Sequence, residues 1–122
     1  MWTLKAVAKG LLGLLFVLAG IAHFAWPGVY AKIVPPYLPW PRALVYLSGL
    51  CEVGLGVLVL IPRYTAPAAW GLVALLIAVF PANVYMAMNA GLFPRFSPAA
   101  LWLRLPLQAV FIAWAFWMTR GR

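Results

Sequence analysis

Residues 66–88 read APAAWGLVALLIAVFPANVYMAM, an apolar run without a charged side chain. About 20 apolar residues in a helix are enough to cross the hydrocarbon core of a bilayer. Three further apolar runs of similar length occupy residues 6–26, 43–61 and 99–118. Because short segments join these spans, the sequence predicts an all-α integral membrane protein, a four-helix bundle of up-down-up-down topology. We expect residues 1–122 to form a single membrane domain.

The composition excludes most soluble functions. Of the 122 residues, 67% are hydrophobic and 8% are charged, whereas a soluble domain has about 45–50% apolar and about 25% charged residues. The net charge of +8 comes from nine Lys and Arg residues that are scattered singly, while a nucleic-acid-binding protein groups its cations on one face. One acidic residue, one His and one Cys are too few for a zinc site or an acid-pair hydrolase. We therefore expect the lipid bilayer as a partner, and neither nucleic acid nor a metal.

The positive residues of the loops predict the orientation in the membrane. Five lie in the two terminal segments and the second loop, and three lie in the loops on the other side. Loops rich in Lys and Arg stay in the cytoplasm, so both termini are expected there. The five are Lys5, Lys9, Arg63, Arg120 and Arg122, and the three are Lys32, Arg42 and Arg95.

The first outer loop contains the segment IVPPYLPWP at residues 33–41. It is too apolar for a loop in free solvent, and its prolines prevent a regular helix. We expect a rigid cap over the outer end of the bundle, or a short re-entrant segment, with no helix longer than one turn. Aromatic side chains favour the headgroup region, so Tyr37 and Trp40 are expected at that level.

Polar side chains interrupt the apolar spans toward the outer end of the predicted bundle. An ionised side chain at mid-bilayer costs roughly 2.5–3.5 kcal/mol, so such a residue indicates a functional site or a structural network. With a rise of about 1.5 Å per residue, these side chains fall in two layers of the outer half of the membrane. They are His23, Asn83 and Arg104 in the shallower layer, and Glu52 and Gln108 about one turn deeper.

Small residues accompany the polar ones on two helices. Ser48, Glu52 and Gly56 recur every four residues and therefore share one face of the second span. Such a small and polar stripe lets a neighbouring helix approach closely. A second stripe on the first span consists of Gly13, Gly20 and His23.

Two interactions are expected inside the bundle. Glu52 and Arg104 lie at reachable depths, so we expect them to form a buried ion pair. Pro81 and Pro106 each remove a backbone donor and free a carbonyl, and the resulting kinks would open space beside the polar groups. The pocket is expected to be lined by His23, Glu52, Asn83, Arg104 and Gln108, with Tyr85 and Trp102 nearby.

A set of motifs extends along nearly the whole chain: His23-Phe24 with Pro27, residues 33–39, Ser48-Gly49 with Glu52, residues 80–86 and residues 103–108. Together these motifs resemble the small DoxX-like family of bacterial membrane proteins. This resemblance implies a four-helix protein of the bacterial inner membrane. The family takes its name from a subunit of a thiosulfate:quinone oxidoreductase. The resemblance also implies an association with quinone and catechol stress or with thiol redox systems.

The leading hypothesis is a redox-associated subunit that binds a quinone-type or other small apolar ligand. His23, Asn83 and Arg104 offer hydrogen-bond donors, and Glu52 offers a proton relay. Since protein side chains do not carry the electrons, an oxidoreductase partner, soluble or membrane-bound, is expected. Aromatic side chains that would flank a flat ring are Phe80, Tyr85 and Trp102.

Two alternatives stay open. Four helices and one intramembrane Glu also describe small proton-coupled exporters, although their essential Glu is in the first helix and Glu52 is in the second, facing an Arg. The other alternative is an accessory subunit whose polar network only fixes the helix register. A second copy of the chain is a further candidate partner, and a bis-histidine haem would require it because the chain has one His.

Overall fold

Helices account for most of the chain in the computed structural model, which describes residues 3–94 and 96–120 and contains no strand in that part. Two single-turn 3-10 helices, Pro62–Tyr64 and Ala90–Leu92, lie in the connections. Arg95 and Arg122, which entered the orientation argument, lie outside the described residues. The α-helices are α1 (Leu4–Ala25), α2 (Pro27–Ala31), α3 (Pro41–Val59), α4 (Thr65–Met88) and α5 (Pro98–Met118).

The four long helices confirm the predicted all-α bundle, and each begins and ends within two residues of the predicted span. Local signals set these ends. The Thr3 hydroxyl accepts a hydrogen bond from the amide of Ala6 at 3.0 Å, and Ser97 caps α5 in the same way. Pro41 and Pro98 occupy first-turn positions, where a missing amide hydrogen is tolerated.

All four long helices of the described chain are long and apolar enough to cross a membrane. Their outward faces carry large apolar side chains that are at least half exposed, such as Leu14, Leu50 and Val110. Lipid is the environment in which so much exposed apolar surface is stable. The chain is therefore a multi-pass membrane protein.

Helix α1 packs most extensively against α3, while α4 packs against α5 and, less closely, α3. The interface between α1 and α3 is built on glycine. A Cβ on Gly13 would lie 2.8 Å from the carbonyl oxygen of Gly56, and one on Gly20 would lie 2.6 Å from that of Gly49. The predicted close approach along these two stripes is thereby confirmed.

Two apolar clusters hold the bundle at different heights. The larger one surrounds Leu12, Val59 and Leu72 near the end of the bundle where α1 begins and α5 ends. There α5 also touches α1, since the Trp114 indole N–H donates to the carbonyl of Ala8 at 3.1 Å. A smaller cluster lies toward the opposite end, where a cavity separates the two helix pairs. This cluster consists of Met86, Ala87, Phe93 and Leu101.

The proline-rich segment forms the expected cap. No helix occurs between residues 32 and 40, and Pro35 is fully buried while Tyr37 and Trp40 are about three-quarters exposed. The short helix α2, which the sequence did not predict, carries the chain from α1 into this cap. The expected position of the two aromatic side chains at the headgroups stays a prediction.

Candidate functional site

A cavity of about 620 Å³ opens at the end of the bundle where α1 and α4 end and α3 and α5 begin. Its wall is mostly apolar, and the cap covers it through Ile33, Val34 and Pro35. A cavity of this size, apolar with a few convergent polar groups, is typical of a small-molecule site. The polar or titratable side chains on its wall are His23, Tyr30, Tyr37, Ser48, Cys51, Glu52, Asn83 and Arg104.

One wall of the cavity carries a histidine–carboxylate pair. The Nε2 atom of His23 lies 3.1 Å from Oε2 of Glu52, and both side chains are nearly nine-tenths buried. Ser48 donates its hydroxyl hydrogen to the same carboxylate oxygen at 3.5 Å. The close contact of α1 with α3 sets this geometry, because Gly49 leaves room for the Cβ of His23 beside it.

The hydrogen bonds of His23 fix where its protons lie. Its Nδ1 atom is 2.7 Å from the carbonyl oxygen of Ala19. A carbonyl oxygen only accepts, so Nδ1 carries a hydrogen. Nε2 and the Glu52 oxygen then form a hydrogen bond only if one proton lies between them, either on the imidazole or on the carboxyl group. The pair is therefore a one-proton site.

The opposite wall carries a chain of hydrogen bonds between α4 and α5. Arg104 donates from Nε to the side-chain oxygen of Asn83 at 3.3 Å. Asn83 donates to the side-chain oxygen of Gln108, and Gln108 donates to the backbone carbonyl of Leu76. Pro81 has no amide hydrogen, so the carbonyl of Ile77 lacks its usual partner in the helix. The carbonyl of Leu76 lies one residue before it. The network thus stabilises the proline-containing stretch of α4 and orients the guanidinium.

The prediction of an ion pair between Glu52 and Arg104 is wrong. Among the described residues, the ion-pair partner of Glu52 is His23, and Arg104 is bound to Asn83. The reason is the pairing of the helices, since α1 lies against α3 through glycine whereas α5 lies against α4. The two charged residues face the same cavity from different walls.

Of the seven residues expected at the pocket, four line it and three do not. Gln108 is buried behind Asn83 rather than on the wall. Tyr85 packs edge to face on Phe93, with ring centroids 6.2 Å apart. Trp102 is 53% exposed on the outer surface of α5. Phe80, the third aromatic residue proposed to flank a ring, also lies off the cavity wall.

The sequence did not single out Tyr30, which the structure places at the centre of the site. Its ring stacks on His23 with centroids 4.0 Å apart and an interplanar angle of 21°. Burial raises the pKa of the Tyr30 phenol, the negative charge of Glu52 raises it further, and Arg104 lowers it. The only available signal was the turn at Pro27, which folds α2 back over the end of α1.

A second, smaller cleft of about 270 Å³ adjoins the cavity. Tyr30, Ile33 and Arg104 line both spaces, so they form the boundary between them. Trp26 and Phe96, which are exposed on the surface of the protein, form the outer part of the cleft. Arg104 is thus accessible from two sides.

The fold and the site define a multi-pass helical membrane protein with an amphipathic cavity between two pairs of helices. The model of a family described as a domain of unknown function, DUF8561, matches residues 12–119, and the chain belongs to that family. No curated protein matches the chain. No solved structure matches it either.

Proposed function

We propose that this protein is a redox-associated membrane subunit that binds a small, mostly apolar ligand of the quinone class. The observation that carries the proposal is the cavity of about 620 Å³, because an apolar wall surrounds donors that have room for a ligand. In the described part of the chain, no residue accepts a hydrogen bond from the two terminal nitrogens of Arg104. These nitrogens suit the carbonyl oxygen of a ring held in the cavity.

The opposite wall suits the second polar end of such a ligand. The stacked rings of His23 and Tyr30 present a flat surface, and flat rings favour offset contact with other aromatic rings. The proton between His23 and Glu52 lies where a reduced or partly reduced ring oxygen could receive it. The ligand would span the cavity between Arg104 and this pair.

Electron transfer requires a partner. Side chains bind and orient a quinone, whereas a redox cofactor supplies the electrons. We propose an oxidoreductase, soluble or membrane-bound, as that partner, in line with the resemblance to DoxX-like proteins. The same resemblance supports a bacterial inner membrane as the location, and the loop charges support cytoplasmic termini.

The test is to purify the full-length chain gently in native lipid and to analyse the extracted lipids for quinones. We expect a stoichiometric quinone in the wild type and its loss in Arg104→Gln. Trp102→Phe is the matched control, since Trp102 lies on the same helix but off the cavity. A preparation without quinone that also fails to bind an added quinone would contradict the proposal.

A proton-coupled small transporter is the second candidate, and the one-proton pair of His23 and Glu52 favours it. Glu52 is not held by Arg104, so the fixed ion pair that counted against proton exchange is absent from the described contacts. Proteoliposomes with an imposed pH gradient separate the two functions. A transporter accumulates a substrate in response to the gradient, whereas a binding subunit does not.

A further inference from the structure

The charges on the cavity wall do not balance. Glu52 is the sole acidic side chain of the 122 residues, and the proton that it shares with His23 leaves that pair with no net charge. Arg104 adds one positive charge that no described carboxylate meets within 4.0 Å. A charge in a membrane cavity is stable only when it is paired or solvated. With a proton on the pair of His23 and Glu52, the cavity wall carries a net charge of +1, which is the charge of Arg104.

The net charge of the cavity wall changes when the pair of His23 and Glu52 loses its proton. Glu52 is then an anion, and it balances Arg104 across the cavity. The other titratable side chains that face the cavity are two phenols and one thiol. They are Tyr30 from α2, Tyr37 from the cap and Cys51 from α3, while α4 contributes the uncharged Asn83.

From this balance we infer that the cavity takes its ligand as an organic anion on an apolar body, together with one proton. The anionic oxygen pairs with the free nitrogens of Arg104, and the proton occupies the hydrogen bond between His23 Nε2 and Glu52 Oε2. Anion plus proton leaves the filled cavity neutral, which is the favourable state in a membrane. This inference rests on the proposed binding function and narrows its ligand to the anionic form of a weakly acidic ring, such as the phenolate of a reduced quinone.

One anionic and one neutral probe of the same shape test the inference. We would use 1-naphthoate and 1-naphthamide, which share a ring system and differ in charge. Binding is measured by isothermal titration calorimetry on the full chain in nanodiscs, in HEPES and in Tris, because the difference in buffer ionisation heat counts the protons taken up. Three variants accompany the wild type: Arg104→Gln, Arg104→Lys and Glu52→Gln.

We expect the wild type to prefer naphthoate over naphthamide. At a pH where the pair of His23 and Glu52 has lost its proton in the ligand-free protein, binding of each anion should take up about one proton. Above that pH, the affinity for the anion falls about tenfold per pH unit. Glu52→Gln binds the anion without this proton uptake, because its amide donates to His23 with no titrating carboxyl. Arg104→Gln loses the preference for the anion, and Arg104→Lys keeps it.

The outcomes separate the two proposals. Equal affinity for naphthamide and naphthoate, or anion binding without proton uptake at every pH, overturns the anion-plus-proton inference but leaves the proposed cavity function in place. If neither probe binds and quinone is also absent, both proposals fail. If Arg104→Gln does not fold, Arg104→Lys and Glu52→Gln still test the inference. A proton uptake per bound anion that is the same in Glu52→Gln as in the wild type overturns it.

Discussion

Gly20 and Gly49 meet at the crossing of α1 and α3, where a Cβ on Gly20 would lie 2.6 Å from the carbonyl oxygen of Gly49. Only hydrogen fits at such a distance. The crossing lies one turn from His23 and Glu52, so the spacing of the two backbones also sets the 3.1 Å contact between these side chains. The helix interface and the polar pair are thus one structural unit.

Gly20→Ala should destabilise the protein, because the added methyl group forces α1 and α3 apart. Overpacking of this kind costs about 1–3 kcal/mol. Gly10→Ala is the matched control on the same helix, since a Cβ there meets nothing within 4 Å. Alanine is the better helix former by about 1 kcal/mol, so the control should be neutral or more stable. The free energy of unfolding in mixed micelles measures both, and equal values would contradict the glycine contact.

The proton arrangement at His23 can be read directly, since the chain contains a single histidine. With labelled histidine, nitrogen NMR should show Nδ1 protonated, because it donates to the carbonyl of Ala19. Nε2 should carry or share the second proton with Glu52. In Glu52→Gln we expect the neutral ring with Nδ1 still protonated. A bare Nδ1 in the wild type would be incompatible with the structure.

The spans were predictable from the sequence because each depends on a local property, a run of apolar residues about as long as the bilayer is thick. The glycine stripes were also predictable, since residues that share a helix face recur at a fixed spacing. Both follow from positions within a single helix. The polar residues of the outer half were found for the same reason.

The partners of those residues were not predictable. Glu52 was assigned to Arg104 on depth alone, but depth does not say which helices are neighbours. Only the fold pairs α1 with α3 and α4 with α5, and this pairing gives Glu52 to His23 and Arg104 to Asn83. Tyr30 was missed because it follows the end of α1, so helical spacing cannot relate it to His23.

Asn83→Leu should break the chain of hydrogen bonds from Arg104 to Gln108. Hydrogen bonds between membrane helices contribute roughly 0.6–2 kcal/mol, so we expect a loss of unfolding free energy in that range. Ligand affinity should fall as well, since Asn83 orients the guanidinium. Asn89→Leu is the control, because among the described residues the Asn89 side chain donates to the backbone carbonyl of Tyr85, four residues earlier in the chain, and does not contact this network. If the two variants bind equally well, Asn83 has no orienting role.

Arg104→Gln should raise the dissociation constant of decylubiquinone about tenfold, the loss of a hydrogen bond of about 1.4 kcal/mol. The midpoint of a titration that follows the quenching of tryptophan fluorescence gives this dissociation constant. The midpoint does not depend on how many tryptophans the variant contains. His23→Ala should have a similar effect. Trp102→Phe should leave the midpoint unchanged, because Trp102 is exposed on the outer surface. A midpoint that moves only in Trp102→Phe would place the ligand outside the cavity.

The Tyr30 phenol should titrate above its ordinary pKa of 10.0, because burial disfavours the phenolate and the charge of Glu52 adds to that effect. The measurement is the ultraviolet titration of the wild type minus that of Tyr30→Phe, which isolates one of the five tyrosines. Arg104 stabilises the phenolate, so Arg104→Gln should move the Tyr30 pKa further up. Glu52→Gln removes a negative charge and should move it down. Opposite directions in these two variants would show that both charged residues face Tyr30 across one cavity, whereas no shift in either would separate Tyr30 from the site.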